Sequence, residues 1–163
     1  MRKHKGFSLI ELLIVVAIIL IIAAIAIPNL LRSRIAANEA SAVGSIRTLN
    51  TAEVTYSSTY PDQGFTCTLA NLGPPSGSSA GSTGGGLIDG VLASGVKSGY
   101  NFAIVGCTAA GSTTITVTYQ TTGVPTAPGQ TGQRAFCSDQ SGVIKYNAGG
   151  VGATCLTGTT ALQ

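Results

Sequence analysis

Very few residues of this chain could take part in catalysis or in metal binding. The only histidine of the 163 residues is His4, so the body of the chain has no imidazole base or ligand. The cysteines lack the C-x-x-C spacing of zinc and thioredoxin-like sites; they are Cys67, Cys107, Cys137 and Cys155. Serines and threonines without a paired base predict no nucleophile. We therefore expect no enzyme, no metal and no cofactor.

One ionisable residue is exceptional because of its surroundings. Glu11 is the only acid or base between Lys5 and Arg32, and residues 12–27 are all aliphatic. A carboxylate in a segment suited to hydrocarbon costs at least about 3 kcal/mol unless a partner satisfies it. We therefore interpret Glu11 as functional. The alternative is an ordinary acid in the first turn of a helix, favoured by the helix dipole.

The element that positions Glu11 is the apolar segment, residues 7–30. Its aliphatic run of about 20 residues is long enough for a helix to cross a bilayer. The basic leader, residues 1–6, predicts that the N-terminus stays in the cytoplasm while the rest of the chain is exported. The run continues into helix-forming sequence, which favours a retained anchor over a secretory signal. Pro28 predicts a bend in this helix, or else its end just outside the membrane.

The charge of the chain gives no support for nucleic-acid binding. The formal net charge is +3, from nine basic and six acidic residues. Three of the basic residues lie in the leader, and without them six basic groups would face six acidic ones. No later stretch concentrates Lys or Arg, so we expect no specific nucleic-acid site. Because all four cysteines follow the apolar segment, we expect disulfides in an oxidising compartment, with free buried thiols as the alternative.

The N-terminal motif resembles a known family. The sequence G-F-S-L-I-E-L from Gly6 to Leu12, the basic leader before it and Pro28 at the end of the apolar run resemble type IV pilins and their relatives, the pseudopilins. The rest of the chain resembles this family only in architecture. The resemblance implies cleavage after Gly6 by a prepilin peptidase, and N-methylation of the new N-terminal residue, Phe7. It also implies that Glu11 meets the N-terminal amine of a neighbouring subunit and sets the axial register of a filament.

The expected fold is α+β and pilin-like. A long N-terminal α-helix, apolar in its first half, runs from Phe7 to about Thr55, or to just before Pro61 at most. Its C-terminal half packs against a three- to four-stranded antiparallel sheet. The globular head comprises residues 31–163. Within it we expect the amphipathic half of the helix, a loop region over 60–99 with a short helix near 87–93, a sheet over 100–147 and a C-terminal loop over 148–163. Turns are expected at 107–112 and 139–142.

Two further expectations concern side chains of the head. Four cysteines allow three connectivities; we favour Cys67 with Cys107 and Cys137 with Cys155, since the second pair is similar to the disulfide-bounded loop of many type IV pilins. The charged residues on the helix could link neighbouring subunits or could simply form a solvated face. These residues are Arg32, Arg34 and Glu39.

The leading functional hypothesis is a major structural subunit of a type IV pilus. It implies these partners: other copies of the chain, the prepilin peptidase and methylase, the pilus assembly machinery and the inner membrane. The subunit would span that membrane once, with its head outside the cytoplasm, and would then enter an extracellular filament that serves adhesion, motility or DNA uptake. Alternatives are a major pseudopilin of a type II secretion system and an anchored binding module. Asp139 is the only acid after Asp89, so a pseudopilin-type calcium loop lacks ligands.

Overall fold

A computed structural model describes residues 7–152 and 160–162. Contacts within the chain divide it into two compact units, Met1–Arg34 and Ile35–Gln163. A single α-helix, α1, comprises Leu9–Thr59. It ends close to Pro61, whose ring and missing N–H cannot continue a helix. The helix therefore ends four residues beyond the predicted end near Thr55 and within the predicted limit just before Pro61.

In the second unit, one face of α1 is buried. Ala42, Ile46 and Leu49 have no exposed surface, and Tyr56 is almost completely buried. Together with buried Ala52, these residues recur at steps of three and four, which places them on one side of a helix. They pack with the apolar side chains of the sheet and of the segment between helix and sheet; the largest of these partners are Leu72, Leu92, Tyr100, Phe102, Ile104, Tyr119 and Phe136.

Within residues 7–152 and 160–162, the sheet has six antiparallel strands, each paired with the next in the chain. The strands are β1 (Val96–Lys97), β2 (Tyr100–Ala109), β3 (Thr116–Pro125), β4 (Ala135–Asp139), β5 (Lys145–Asn147) and β6 (Thr160–Ala161). Along β3, inward-facing buried residues alternate with partly exposed ones, as expected of a sheet with one face on the core. The α+β arrangement predicted from the sequence is confirmed.

The predicted number of strands, three to four, is wrong. The outermost strands, β1 and β6, have two residues each, which is too short to give a visible alternation of apolar and polar residues. The predicted turn at 107–112 also begins too early. Strand β2 continues to Ala109, with register irregularities between Val105 and Ala109. Gly106, at φ +62°, adopts the left-handed conformation there. The turn at 139–142 is present, closed by a bond from the Gly142 amide to the Asp139 carbonyl.

The segment from residue 60 to residue 99 is more structured than the predicted loop. It contains two short helices, α2 (Leu69–Leu72) and α3 (Gly90–Ala93), and strand β1. A disulfide joins Cys67 to Cys107 of β2, with their Cα atoms 6.0 Å apart. The Tyr56 hydroxyl lies 2.7 Å from the Ser82 carbonyl oxygen, to which it can donate. Few apolar groups are available between Pro75 and Gly86, so these cross-connections hold the segment in place.

Removing the disulfide tests how much this connection contributes. In the Cys67→Ser/Cys107→Ser double variant, we expect the free energy of unfolding to fall by about 4 kcal/mol, since the disulfide restricts a long loop in the unfolded chain. The two cysteines are 40 residues apart. Urea unfolding of the full chain in detergent, followed by circular dichroism, measures the change. Disulfides typically contribute about 2–4 kcal/mol. A loss below about 1 kcal/mol would therefore contradict the stabilising role.

Candidate functional site

The N-terminus of α1 places Glu11 in the first turn of the helix. The Ser8 backbone amide donates to Glu11 Oε2 over 3.0 Å, and the Ser8 carbonyl oxygen accepts from the Leu12 amide. This is half of a capping box, in which an acid three residues after the N-cap satisfies the N-cap amide. Among the described residues, no salt bridge involves Glu11.

The hydrogen bond of Glu11 agrees with one of the two interpretations made from the sequence, that of an ordinary acid in the first turn of a helix. The cap bond is the contact expected of an ordinary helix N-terminal acid. It occupies one carboxylate oxygen and involves no cation. The second interpretation, pairing with an amine of another subunit, concerns a contact that one chain cannot contain. It stays a prediction.

Phe7 and Gly6 flank the predicted cleavage point. The Phe7 side chain is 79% exposed, and helix α1 begins two residues later, at Leu9. Gly6 lies outside the described residues, as does the rest of the predicted leader. The peptide bond between Gly6 and Phe7 therefore precedes Leu9, the first residue of α1, by two residues.

The helical surface that follows Glu11 is apolar and uncovered. All large apolar side chains from Phe7 to Leu31 are exposed. The most apolar window of 18 residues in α1 has a mean hydropathy of 3.3 and contains no buried residue, and by length and composition this helix could cross a membrane. Pro28 lies inside α1, and the helix continues through it for a further 31 residues to Thr59. It therefore does not mark a helix end; the predicted bend stays a prediction.

The cysteines of the head do not form a metal site in the described part of the chain. Cys67 and Cys107 form the disulfide described above, which is the pairing favoured from the sequence. Cys137 is buried in β4. Cys155 lies outside the described residues, so the pairing of Cys137 with Cys155 stays a prediction. Within residues 7–152 and 160–162, no three His, Cys, Asp or Glu side chains lie together as a metal ion would require.

Comparisons with known proteins concern the N-terminal part. Residues 1–27 match the family model described as the prokaryotic N-terminal methylation motif. The chain is 67% identical over 39 residues to the type IV wide pilus major component PilA4 of Thermus thermophilus. It is 45% identical over 54 residues to the type IV major pilin protein PilA of Myxococcus xanthus. The N-terminal resemblance to type IV pilins is thereby confirmed.

The likeness to these pilins covers a minority of each chain. The matched part is 24% of this chain and 30% of the Thermus protein. For the Myxococcus protein the shares are 33% and 24%. No solved structure matches the chain. The pilin-like character therefore rests on the N-terminal helix, and the head has to be understood from its own contacts.

Sequence reasoning missed the role of Glu39 in the head. This residue, expected at a subunit contact or on a solvated face, is only 8% exposed. Its Oε1 accepts from the amides of Gln133 and Arg134, both over 3.0 Å, and its Oε2 accepts from Arg134 Nε over 2.9 Å. A second guanidinium nitrogen lies 2.7 Å from Oε2. The signal in the sequence was the position of Glu39, three residues before Ala42 on the buried face.

The Glu39 contacts connect the helix to the start of β4. Burial alone would raise the pKa of Glu39, but the hydrogen bond from the Arg134 side chain, the two backbone amides and the Arg134 charge together lower it below the ordinary value. The Arg134 guanidinium also lies over the rings of Phe136 and Tyr146, with its carbon 5.4 and 5.3 Å from their centroids. We call Glu39 and Arg134 the helix-sheet clamp.

A second acid on the same helix, Glu53, has a different environment. It has no exposed surface, and its Oε2 accepts from the Thr66 amide over 2.9 Å. Its Oε1 has no partner among the described residues. Burial raises the pKa of Glu53 to about 7, although the Thr66 hydrogen bond opposes this shift. Near neutral pH, Glu53 is therefore divided between its neutral and charged forms.

Neutralising the clamp should destabilise the head. For Glu39→Gln we expect a loss of about 1–2 kcal/mol at neutral pH, because the amide loses the charge-assisted bonds to Arg134, whose partial exposure limits the cost. Urea unfolding of the full chain measures the change. The matched control is Asp89→Asn, which removes an exposed ion pair with Lys97 and should change stability little. Equal effects of the two substitutions would contradict the role of the clamp.

Proposed function

We propose that this chain is the precursor of a major type IV pilin, a structural subunit that polymerises through its N-terminal helix into a surface filament. The observation that carries the proposal is the uncovered apolar helix with one acid in its first turn. Such a surface is stable in lipid or against other apolar helices, and a subunit that moves from membrane to filament needs both. Both relatives described above are named as major components of type IV pili.

Processing is the first step of the proposed function. A prepilin peptidase cuts between Gly6 and Phe7, and the released amine of Phe7 is methylated. This agrees with the match of residues 1–27 to a methylation motif. Glycine has no side chain to obstruct approach of a protease. Cutting there removes Arg2, Lys3 and Lys5, whose charges hold the leader at the cytoplasmic membrane surface.

Assembly is the second step. The processed helix leaves the inner membrane with the help of the assembly machinery and packs among the helices of other copies. Apolar packing alone does not fix the axial position of one helix relative to its neighbour. If one helix slides along the other, each apolar contact is replaced by a similar one. A single buried polar pair does distinguish them. Glu11 supplies the carboxylate of that pair, and the Phe7 amine of a neighbour supplies the cation.

The remaining assignments follow from the same proposal. The precursor is anchored once in the inner membrane with its head outside the cytoplasm, and the assembled subunit is extracellular. The filament can serve adhesion, motility or DNA uptake. The proposed role is structural and not enzymatic, because both relatives are named as components of pili. A secretion pseudopilin is not favoured, because both relatives are named as pilus components.

Two substitutions of Glu11 separate register from capping. Glu11→Ala should give a stable membrane protein that does not enter filaments. Glu11→Gln keeps an oxygen that can accept from the Ser8 amide but carries no charge, so it should also fail if pairing with an amine sets the register. Filament yield after shearing, measured by electron microscopy and immunoblotting, reports the outcome. Normal yield of Glu11→Gln would show that the cap alone matters, and normal yield of both would refute the assembly role.

A substitution at Gly6 tests the processing step. In Gly6→Leu the bulky side chain should block the peptidase, so the leader stays attached and Phe7 is not methylated. Mass spectrometry of the intact protein and of its N-terminal peptide distinguishes the two forms. Gly6→Ala, which adds one methyl group, is the matched control and should retain some cleavage. A mature Gly6→Leu protein that begins with methylated Phe7 would contradict the assignment.

A further inference from the structure

The Glu53 carboxyl group is buried, and one of its two oxygens has no hydrogen-bond partner among the described residues. The residue has no exposed surface, one oxygen accepts from the Thr66 amide, and the other has no partner in residues 7–152 and 160–162. A buried carboxylate without a cation costs several kcal/mol when it is charged. One hydrogen bond from a neutral amide offsets only part of this cost. The neutral form therefore fits the site better than the charged form.

Within the described part of the chain, the influences on the Glu53 carboxyl include no positive charge. Its charge reaches two phenols, Tyr56 on the same helix and Tyr119 on β3, which carry no positive charge. The segment opposite contributes Asp62, an exposed acid, and Cys67, which is held in the disulfide. Burial and the Thr66 hydrogen bond are the influences on the Glu53 carboxyl. Its protonation is therefore set by burial and not by an ion pair.

The Thr66 amide belongs to a short segment that is fastened at three places. We call residues 63–68 the latch segment. At its start, the Thr116 amide donates to the Gln63 carbonyl oxygen and the Phe65 amide donates to the Thr116 carbonyl oxygen, over 2.9 and 3.0 Å. Near its end, Cys67 is tied to β2 by the disulfide. Two contacts join the segment to the helix: the Tyr56 hydroxyl lies 2.9 Å from Gln63 Oε1 at its start, and between the ties the Thr66 amide donates to Glu53 Oε2.

We propose that Glu53 and the latch segment form a pH-sensitive latch, in which the neutral carboxyl holds the segment against the helix and the carboxylate releases it. Release lets water reach Glu53 while the disulfide keeps the segment tethered, so the opening is local and reversible. Loss of the segment also uncovers the ring pair of Phe65 and Tyr119, whose centroids lie 4.7 Å apart. The exposed surface of the head thus changes with the pH around the protein.

The direction of the pH dependence follows from proton linkage. Burial raises the pKa of the held Glu53 to about 7, from an ordinary value of 4.5. The held state therefore binds more protons than the released state between these values, and a rise in pH through this range favours release. Below the range Glu53 is neutral in both states, and above it Glu53 is charged in both. With these two pKa values, the opening equilibrium rises about 25-fold from about pH 5.5 to about pH 8.

Hydrogen exchange tests the latch directly. Exchange of the full mature chain in detergent is followed by mass spectrometry at about pH 5.5 and about pH 8, and protection factors are corrected for the intrinsic pH dependence of amide exchange. In the wild type, protection of the peptide that contains Thr66 should fall about 25-fold. A peptide from the centre of β3 serves as an internal reference. Its protection should change several-fold less.

Two variants complete the test. Glu53→Gln is close in shape and cannot ionise, so protection of the latch segment should become nearly independent of pH. Asp62→Asn removes the exposed acid of the neighbouring turn and should keep the wild-type response. A wild-type response that is equal in the latch segment and in β3 would indicate global unfolding and overturn the proposal. Persistence of the response in folded Glu53→Gln would also overturn it; if that variant does not fold, the wild-type comparison with β3 decides.

Discussion

The apolar surface of α1 from Leu9 to Leu31 has to be covered, and this constraint governs the first unit. Seventeen large apolar side chains between Phe7 and Leu31 are exposed, and burial of each such side chain is worth about 1.5–3 kcal/mol. The total is tens of kcal/mol, far beyond any single polar contact. Lipid and neighbouring helices satisfy this demand almost equally, because lipid tails are as apolar as leucine. The hydrophobic effect therefore requires that this surface be buried, but it does not favour lipid over neighbouring helices.

Polar groups must therefore distinguish a lipid environment from packing against other helices. Helix α1 carries three acids, and each has a different environment. Glu11 lies in the first turn, where an amide of its own chain satisfies one oxygen. Glu39 is saturated by two amides and a guanidinium, so its charge is stabilised. Glu53 is buried with one amide, so its charge is destabilised. The environment, and not the residue type, decides whether each carboxylate is a cap, a clamp or a titratable group.

The sequence predicts what depends on periodicity and on unbroken composition. The aliphatic run, the buried stripe from Ala42 to Tyr56 and the alternation in β2 and β3 all appear in the structure. Two-residue strands carry no period, so β1 and β6 could not be predicted. The burial of Glu39 and Glu53 could not be predicted either. From sequence alone, an acid beside an apolar stripe is expected at the solvent-exposed edge of the helix face, because its partners are not known. Those partners, Arg134 and Thr66, lie 95 and 13 residues away along the chain.

Stability alone does not account for an acid at the position of Glu53. Replacing a buried ionic or polar group by a well-packed apolar side chain of similar volume is often neutral or stabilising. The core around this position already contains Leu49, Ala52 and Tyr56, so the helix could present an apolar residue there. An apolar side chain would leave the Thr66 amide without its acceptor, whereas the neutral carboxyl accepts from that amide. The acid thus combines a structural bond with a proton-dependent cost, which is the combination that a latch requires.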